Sequence, residues 1–426
     1  MSIVDGHYRH GLRRMRGRSI TEHGRTATPL ELLFDLTFVA AFGVAGNELA
    51  HAIAVGHPGP GALGFSAAMV ALVWAWINFT WFASAFDTDD WLFRALTMVQ
   101  MVGVIVLAIG LPAMFASIDH GEVFDNRVMV AGYVVMRVGL ILQWLRAATS
   151  DPTYRVAALS YAGFVGAAQI GWIVVAIVPF TVPQATVAFV ILMLIELGGP
   201  ITAEIKGAKK GGGATPWHPH HIAERYALLA IIALGETVFG TLASATEIST
   251  AQGWSFDAIV VVASGIALSF AMWWTYFLVP HGEVLAARRT KAFPWGYGHI
   301  VLFGAIAAVG AGLHVVGYAY DEHYHLSSTT VTLSIAIPVL LFFVSLYLLH
   351  SWLISHFTSN APLQAIVLLL PVAAVGLSLL GAPLWVSILV VLAAPMLIIV
   401  SYELGAWRAL DAALARATAP VPDGAR

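Results

Sequence analysis

Apolar residues in this chain come in runs of about 20, the length at which a helix rising about 1.5 Å per residue crosses the hydrocarbon layer of a bilayer. Twelve such runs are present, centred near Ala41, Val73, Val106, Met136, Gly166, Ile191, Ile231, Ser269, Ile306, Leu340, Leu370 and Ala393. The pattern predicts an all-α, polytopic integral membrane protein with about 12 transmembrane helices. The polar positions inside the runs matter as much. The first run, Leu30 to about Ala54, contains Glu31, Asp35, Asn47, Glu48 and His51, and the run that follows ATPWHPHH contains Glu224, Arg225 and Glu236. Ionisable groups at membrane depth are costly and tend to be kept where they pair or function.

Composition agrees with the pattern: hydrophobic residues make up 59% of the 426 positions and charged ones 11%, against roughly 25% charged in soluble domains. A water-facing surface cannot be built from such a chain, so its principal partner is the lipid bilayer. The net charge of −3 gives no sign of a nucleic-acid partner, and the absence of cysteine removes disulfides and thiolate metal sites. Arginines 9, 13, 14, 16, 18 and 25 precede the first run, as in a secretory signal, but that run is too long and too acidic for a cleaved apolar segment.

Charge also orients the chain. With the basic amino terminus inside, twelve crossings place Arg94, Arg146 to Arg155, Lys206 to Lys210, Arg288 to Lys291 and the tail from Arg408 in the cytoplasm; 18 of the 21 Lys and Arg residues then lie inside, as the positive-inside rule requires. The exceptions are Arg127, Arg137 and Arg225. The expected organisation is a cytoplasmic tail (1–25), a six-helix segment (26–205), a flexible linker (206–216), a second six-helix segment (217–408) and a cytoplasmic tail (409–426).

The two segments read as repeats. Ala27-Thr28-Pro29 matches Ala214-Thr215-Pro216, Gly46-Asn47-Glu48 matches Gly235-Glu236-Thr237, Thr80-Trp81-Phe82 matches Thr275-Tyr276-Phe277, and Glu196-Leu197-Gly198 matches Glu403-Leu404-Gly405. The matches are collinear and their offset only grows. Each segment has an even number of helices, so the expectation is two parallel six-helix repeats about an axis along the membrane normal.

The stretches ATPLELLFDLTFV (Ala27 to Val39) and HIAERYALLAIIALGETVF (His221 to Phe239), with the aspartate-rich turn after Trp81, resemble the hallmark segments of the bacterial low temperature requirement A family. The resemblance runs from about Arg25 to Trp407. It implies a multipass protein of the bacterial inner membrane, named for a cold-growth phenotype, and supplies no reaction.

Candidate chemistry therefore rests on the intramembrane polar residues. Thr28, Pro29 and Glu31 form a capping-box pattern with proline at the first helical position. Asp35 shares a face with Glu31 but lies a turn deeper. Asn47, Glu48 and His51 lie on the outer part of the same helix, roughly 18 Å beyond Asp35 and turned about 120° from it; they read either as interfacial solvation or as an ion or proton site, since an imidazole titrates near neutrality. On the seventh run, His221, Arg225 and Glu236 fall within about 60° of one another. Glu236 has no charged residue within four positions on either side, and Arg137, alone in the fourth run, is the expected partner. The group His218, His220, His221 and Glu224 lacks a completed coordination sphere and gives no metal site; the histidines read as solvated. Glu196 and Glu403 read as structural residues near the cytoplasmic ends of helices 6 and 12. The aromatic stretches WAWINFTWF and MWWTYF read as interfacial belts, and Asp87, Asp89 and Asp90 as a solvated turn or a partner for Arg94.

No phosphate-binding loop, voltage-sensing arginine ladder or cluster of nucleophile and base is present. An enzyme is not expected, nor a cofactor. Two classes remain. One is a secondary transporter or ion pathway moving protons or a proton-coupled small solute past Asp35, Asn47, Glu48, His51, Arg137, His221, Glu224, Arg225 and Glu236. The other is a membrane sensory or scaffold protein of cold adaptation, whose buried charges hold the bundle together.

Overall fold

A computed structural model describes residues 11–121, 123–210, 213–251, 253–321, 323–354 and 361–419. Arg9, Gly211, Gly212 and the tail after residue 419 lie outside the described residues. The described elements are helical: α1 (Pro29–Ala54), α2 (Pro58–Phe86), α3 (Trp91–His120), α4 (Arg127–Ser150), α5 (Arg155–Ile177), α6 (Val182–Lys210), α7 (Pro219–Ala251), α8 (Phe256–Tyr276), α9 (His281–Ala287), α10 (Ala292–Tyr318), α11 (Ser328–Ile354), α12 (Ala361–Leu379), α13 (Leu384–Ser401) and α14 (Trp407–Thr418). Among the described residues twelve segments are long and apolar enough to span a membrane. Each contains one of the twelve centres expected from the sequence.

Local sequence explains where several helices begin and end. At α1 the capping box is complete: Glu31 Oε2 accepts from the Thr28 backbone N–H at 2.8 Å, while Thr28 Oγ1 accepts from the Glu31 N–H at 3.3 Å. Helix α3 starts at Asp90, whose side chain accepts from the Phe93 N–H, and stops at Gly121 in the left-handed conformation. Ser255 caps α8 by accepting from the Ala258 N–H. These contacts satisfy backbone donors that have no intrahelical partner.

The chain divides into two compact units, Met1–Ala41 with Asn78–Ile222, and Phe42–Ile77 with Ala223–Arg426. In the first unit α3 and α4 pack backbone to backbone through small residues. A Cβ on Gly103 would fall 2.6 Å from the Gly132 carbonyl oxygen, and one on Gly110 would meet the backbone at Val128 and Met129. Close approach through glycine is how helices gain van der Waals contact where lipid removes the hydrophobic drive between them. Trp144 and Tyr161 stack at 4.2 Å between ring centroids nearby, and Gln100 donates to Gln143 at 2.8 Å.

In the second unit the same device joins α7 to α10. Gly240 faces the Gly310 carbonyl, Gly310 faces the backbone of Glu236, and Ser244 donates to the Leu313 carbonyl oxygen and accepts from the Gly317 N–H at 2.9 Å. The C-terminal part of α1 joins this contact through Gly46, next to Ala307 and Ala311. The aromatic stretch of α2 is not an interfacial belt: Trp74 and Trp76 are buried in the second unit, and Phe79, Trp81 and Phe82 in the first. These rings are core, packed edge-on against Tyr297, Tyr226 and Phe303 in the one and edge-on or tilted against Phe34, Trp217 and Trp144 in the other. In α8 Trp273 and Trp274 are exposed, whereas Tyr276 is buried and is not a belt residue.

Candidate functional site

The first unit gathers a polar cluster around the starts of α1, α3 and α7. Glu31 and His221 are both fully buried, and the His221 Nε2 lies 3.3 Å from the nearer Glu31 oxygen. The capping carboxylate thus has a second role that periodicity did not reveal. Asp35, one turn further on, is also fully buried. His218 opens α7: its backbone N–H donates to Ser84 Oγ at 3.0 Å and its Nδ1 accepts from the His221 N–H at 3.3 Å. Burial, reinforced by His220, pushes the His218 imidazole below its ordinary value, consistent with a neutral ring that can accept. The expectation of solvated histidines therefore holds for His220, which is exposed, and not for His218 or His221.

Asp87 lies deeper than a solvated turn would place it. It is 5% exposed, 3.5 Å from Arg25 and 3.7 Å from Arg18, and Arg18 also holds Glu22. Burial and the negative charge of Glu31 push its carboxyl up to about 6, with Arg25 opposing. Asp90, by contrast, is held down to about 2: its burial is outweighed by the Arg146 guanidinium and by the Phe93 and Arg13 backbone N–H groups. Of the three aspartates only Asp89 follows the simplest reading, bonded to Arg94 at 2.8 Å.

A separate buried pair corrects the expected partner of Arg137. The guanidinium Nη2 donates to Glu196 Oε2 at 2.8 Å and to the Tyr133 hydroxyl at 2.5 Å, and Tyr133 donates to the same carboxylate oxygen at 2.8 Å. Trp172 Nε1 donates to the other Glu196 oxygen at 2.8 Å, with Gln169 at 3.5 Å. Arg137 is fully buried and Glu196 is 3% exposed. The partner is Glu196 and not Glu236 because α6 continues to Lys210, which brings Glu196 to the middle of its helix and not to a cytoplasmic end. Glu403, expected to match it, is exposed in an irregular turn. Tyr133, one turn before Arg137, could have been found from i, i+4 spacing; Trp172 and Gln169 carry no such signal.

In the second unit Glu236 is half-buried and has no hydrogen-bond or ion-pair partner among the described residues. Its carboxylate oxygens lie 3.1 and 3.3 Å from where a Cβ on Gly43 would stand, and its backbone packs on Gly310. Gly43 on α1 thus leaves room for the carboxyl group, and Gly310 on α10 lets the backbone of α7 approach at this residue. Further along α1, Glu48 is half-buried beside His51, while Asn47 and His51 are exposed. Arg225 is fully buried with its guanidinium over Trp76 at 5.7 Å, and Glu224 is half-buried. A further set was not anticipated: Tyr276 OH lies 3.1 Å from His299 Nε2, both buried, and His281 Nε2 lies 3.4 Å from Nε2 of the half-buried His350. No group of His, Asp and Glu among the described residues has the geometry of a metal site.

The candidate site residues therefore fall into three groups: Glu31, Asp35 and His221 in the first unit, Arg137 with Glu196 in the same unit, and Glu48, Glu236, Glu224 and Arg225 in the second. No solved structure matches this chain. An uncharacterized protein of Rhizobium meliloti (strain 1021) is 26% identical over 323 residues, covering 68% of this chain and 69% of that protein. The sequence model of the bacterial low temperature requirement A protein matches residues 26–399. The chain, whose described elements are helical and include twelve membrane-length segments, belongs to that family.

Proposed function

We propose that the protein is a secondary transporter or ion pathway of the bacterial inner membrane, moving protons or a proton-coupled small solute by way of its intramembrane carboxylates. The observation that carries this reading is Glu236: a half-buried acid in an apolar helix, without a cation among the described residues, against Gly43 and Gly310. A carboxyl group in low-dielectric surroundings is cheaper neutral than charged, so such a group can take up a proton from one side and release it when its surroundings change. The Glu31–His221 pair supports the same reading, since a carboxylate against an imidazole can hold one proton on either group. Both termini and the linker around Lys209 are cytoplasmic in this proposal, on the strength of the Lys and Arg distribution. Descent of residues 26–205 and 217–408 from one duplicated segment belongs to it too, supported by the collinear sequence matches.

A second reading has its own support. Glu196 is closed off by Arg137, Tyr133 and Trp172, and Glu31 caps a helix, as buried charges would in a sensory or scaffold protein of cold adaptation.

Proteoliposomes loaded with a pH-sensitive dye separate the two. Under an imposed potassium diffusion potential, wild type should pass protons, alone or with one member of a panel of small solutes, and folded Glu236→Gln should not. Equal rates and equal pH dependence for the two proteins would remove Glu236 from the pathway. No flux of protons or of any panel solute with wild type would overturn the transport reading in favour of the scaffold. Reporter fusion at Lys209 tests the orientation, which an active periplasmic reporter would refute.

A further inference from the structure

The last membrane-length segment of the second unit is not a continuous α-helix. Between α13 and α14 the chain makes a π-helical turn, Tyr402–Ala406, with Gly405 at φ +131°, a conformation that a residue with a Cβ avoids. One-turn π segments inside helices recur at functional sites. A partly open cavity of about 180 Å³ lies beside this turn, walled by α8, α11, α12, α13 and α14.

The chemistry of the wall is specific. Most of it is apolar, with Leu346, Leu363 and Ile398 among its residues, and His350 supplies a polar group. Among the described residues that line it, none is acidic, and Arg416 is the one with a permanent charge. Helix α14 contributes Ala409, Ala413 and Arg416, at i, i+4 and i+7, so a single helical face closes the cavity and delivers the guanidinium. That face is anchored at its end, because Arg288 Nε donates to the Ala417 carbonyl oxygen at 2.9 Å. Arg416 itself is exposed and makes no ion pair among the described residues, so its charge is free to meet a ligand.

An apolar cavity of about 150 Å³ is large enough to take up a benzene-sized molecule. A space of about 180 Å³ therefore suits a ring or a short length of acyl chain, and the open side allows a longer body to extend outward. We propose that this cavity binds a monoanionic amphiphile, an apolar body bearing one carboxylate or phosphate, with its charge on Arg416 and its apolar part among Leu346, Leu363 and Ile398. Such a molecule has two sources, an anionic phospholipid of the bilayer or a free carboxylic acid. The site is independent of Glu236, and its test is independent of transport.

The probe is octanoate, with octanol and octylamine of the same chain length as controls. It is titrated calorimetrically into the full-length protein in nanodiscs of zwitterionic lipid, with empty nanodiscs subtracted. Octanoate should bind saturably at one site, more tightly than octanol by about tenfold, as expected for one charge-assisted hydrogen bond; octylamine should not bind. Arg416→Gln, at an exposed position, should remove the advantage of octanoate and leave octanol unchanged. Ala413→Leu, which fills the cavity, should weaken both. Addition of phosphatidylglycerol to the nanodiscs then distinguishes the sources: competition with octanoate, together with a retained phospholipid in native mass spectra that Arg416→Gln loses, identifies a bilayer lipid, whereas no competition identifies a free acid. The proposal is overturned if octanoate does not bind while wild type holds no anionic lipid, or if octanol or octylamine binds as tightly as octanoate. It is equally overturned if both Arg416→Gln and Ala413→Leu, folded and monodisperse, bind as wild type does.

Discussion

Replacement of Arg137 by Met should cost the first unit more stability than replacement of Arg137 and Glu196 together. Arg137 and Glu196 are 2.8 Å apart and each is almost wholly buried. Removing one member of such a pair leaves a charge in low dielectric, a loss of about 3–5 kcal/mol, whereas replacing both with apolar groups is often neutral or stabilising. Here the lower end applies, because Tyr133 and Trp172 would still donate to the stranded carboxylate at 2.8 Å each. About 3 kcal/mol corresponds to a factor of about 150 in the folded-to-unfolded ratio. Arg137→Met, Glu196→Met and the double variant should be compared by reversible unfolding in mixed micelles, with half-life at fixed temperature as the readout if unfolding proves irreversible. The expected result is a coupling energy of about 2 kcal/mol or more from the double-mutant cycle. Single effects that simply add, or an Arg137→Met protein as stable as wild type, would refute the pairing argument.

Three further outcomes are expected. Thr28→Ala should destabilise the start of α1 by about 1 kcal/mol, as loss of a side-chain cap does, measurable as faster amide exchange over residues 29–33. Gly310→Ala should cost about 1–3 kcal/mol, because its Cβ would stand 2.7 Å from the Glu236 carbonyl; unchanged melting would mean that α7 and α10 are not in close contact. Asp87, with a folded value of about 6 against about 4 when unfolded, contributes stability that is full below about pH 4 and is lost as pH rises through about 6. Asp87→Asn should remove that part of the pH dependence, and identical profiles for the two proteins would disprove the assignment.

Elements that depend on neighbouring residues were legible in the sequence. Thr28-Pro29 with Glu31 three positions after Thr28 predicts a capping box, and that box is present; runs of apolar residues give the twelve segments. Pairings across helices were not legible. Helical periodicity says which residues of one helix share a face, but it carries no term for which helix that face meets. Periodicity alone therefore pairs Arg137 with the most isolated acid in the chain, Glu236, whereas the acid that reaches it from another helix is Glu196. The aromatic run of α2 misled for a related reason: Trp74 and Trp76 have the composition of a membrane-interface belt, and only packing against Tyr226, Tyr297 and Phe303 makes them core. The turn at Gly405 had no signal in hydropathy, since its neighbours are apolar enough to continue a helix.

The two mid-helix acids, the buried Glu196 and the half-buried Glu236, separate structure from candidate function by their surroundings. Glu196 has a full complement of donors: a guanidinium, a phenol, an indole and an amide converge on its two oxygens. Such a carboxylate is fixed in place by its donors, so its substitution reads out as stability. Glu236 meets glycine on two sides, and glycine offers space without charge or hydrogen bonds from a side chain. On the transport reading proposed above, a carboxylate so placed would turn, exchange its proton and accept a passing cation or solute without breaking an existing bond. The glycines are then the more telling test of the transport reading. Gly43→Ala would put a methyl group at 3.1 Å from an Glu236 oxygen, a contact that the flexible side chain relieves by moving at little cost in folding. The expectation is a protein with near wild-type stability and an altered pH dependence of proton flux in dye-loaded proteoliposomes. If Gly43→Ala leaves both stability and flux unchanged, the space around Glu236 has no part in the function.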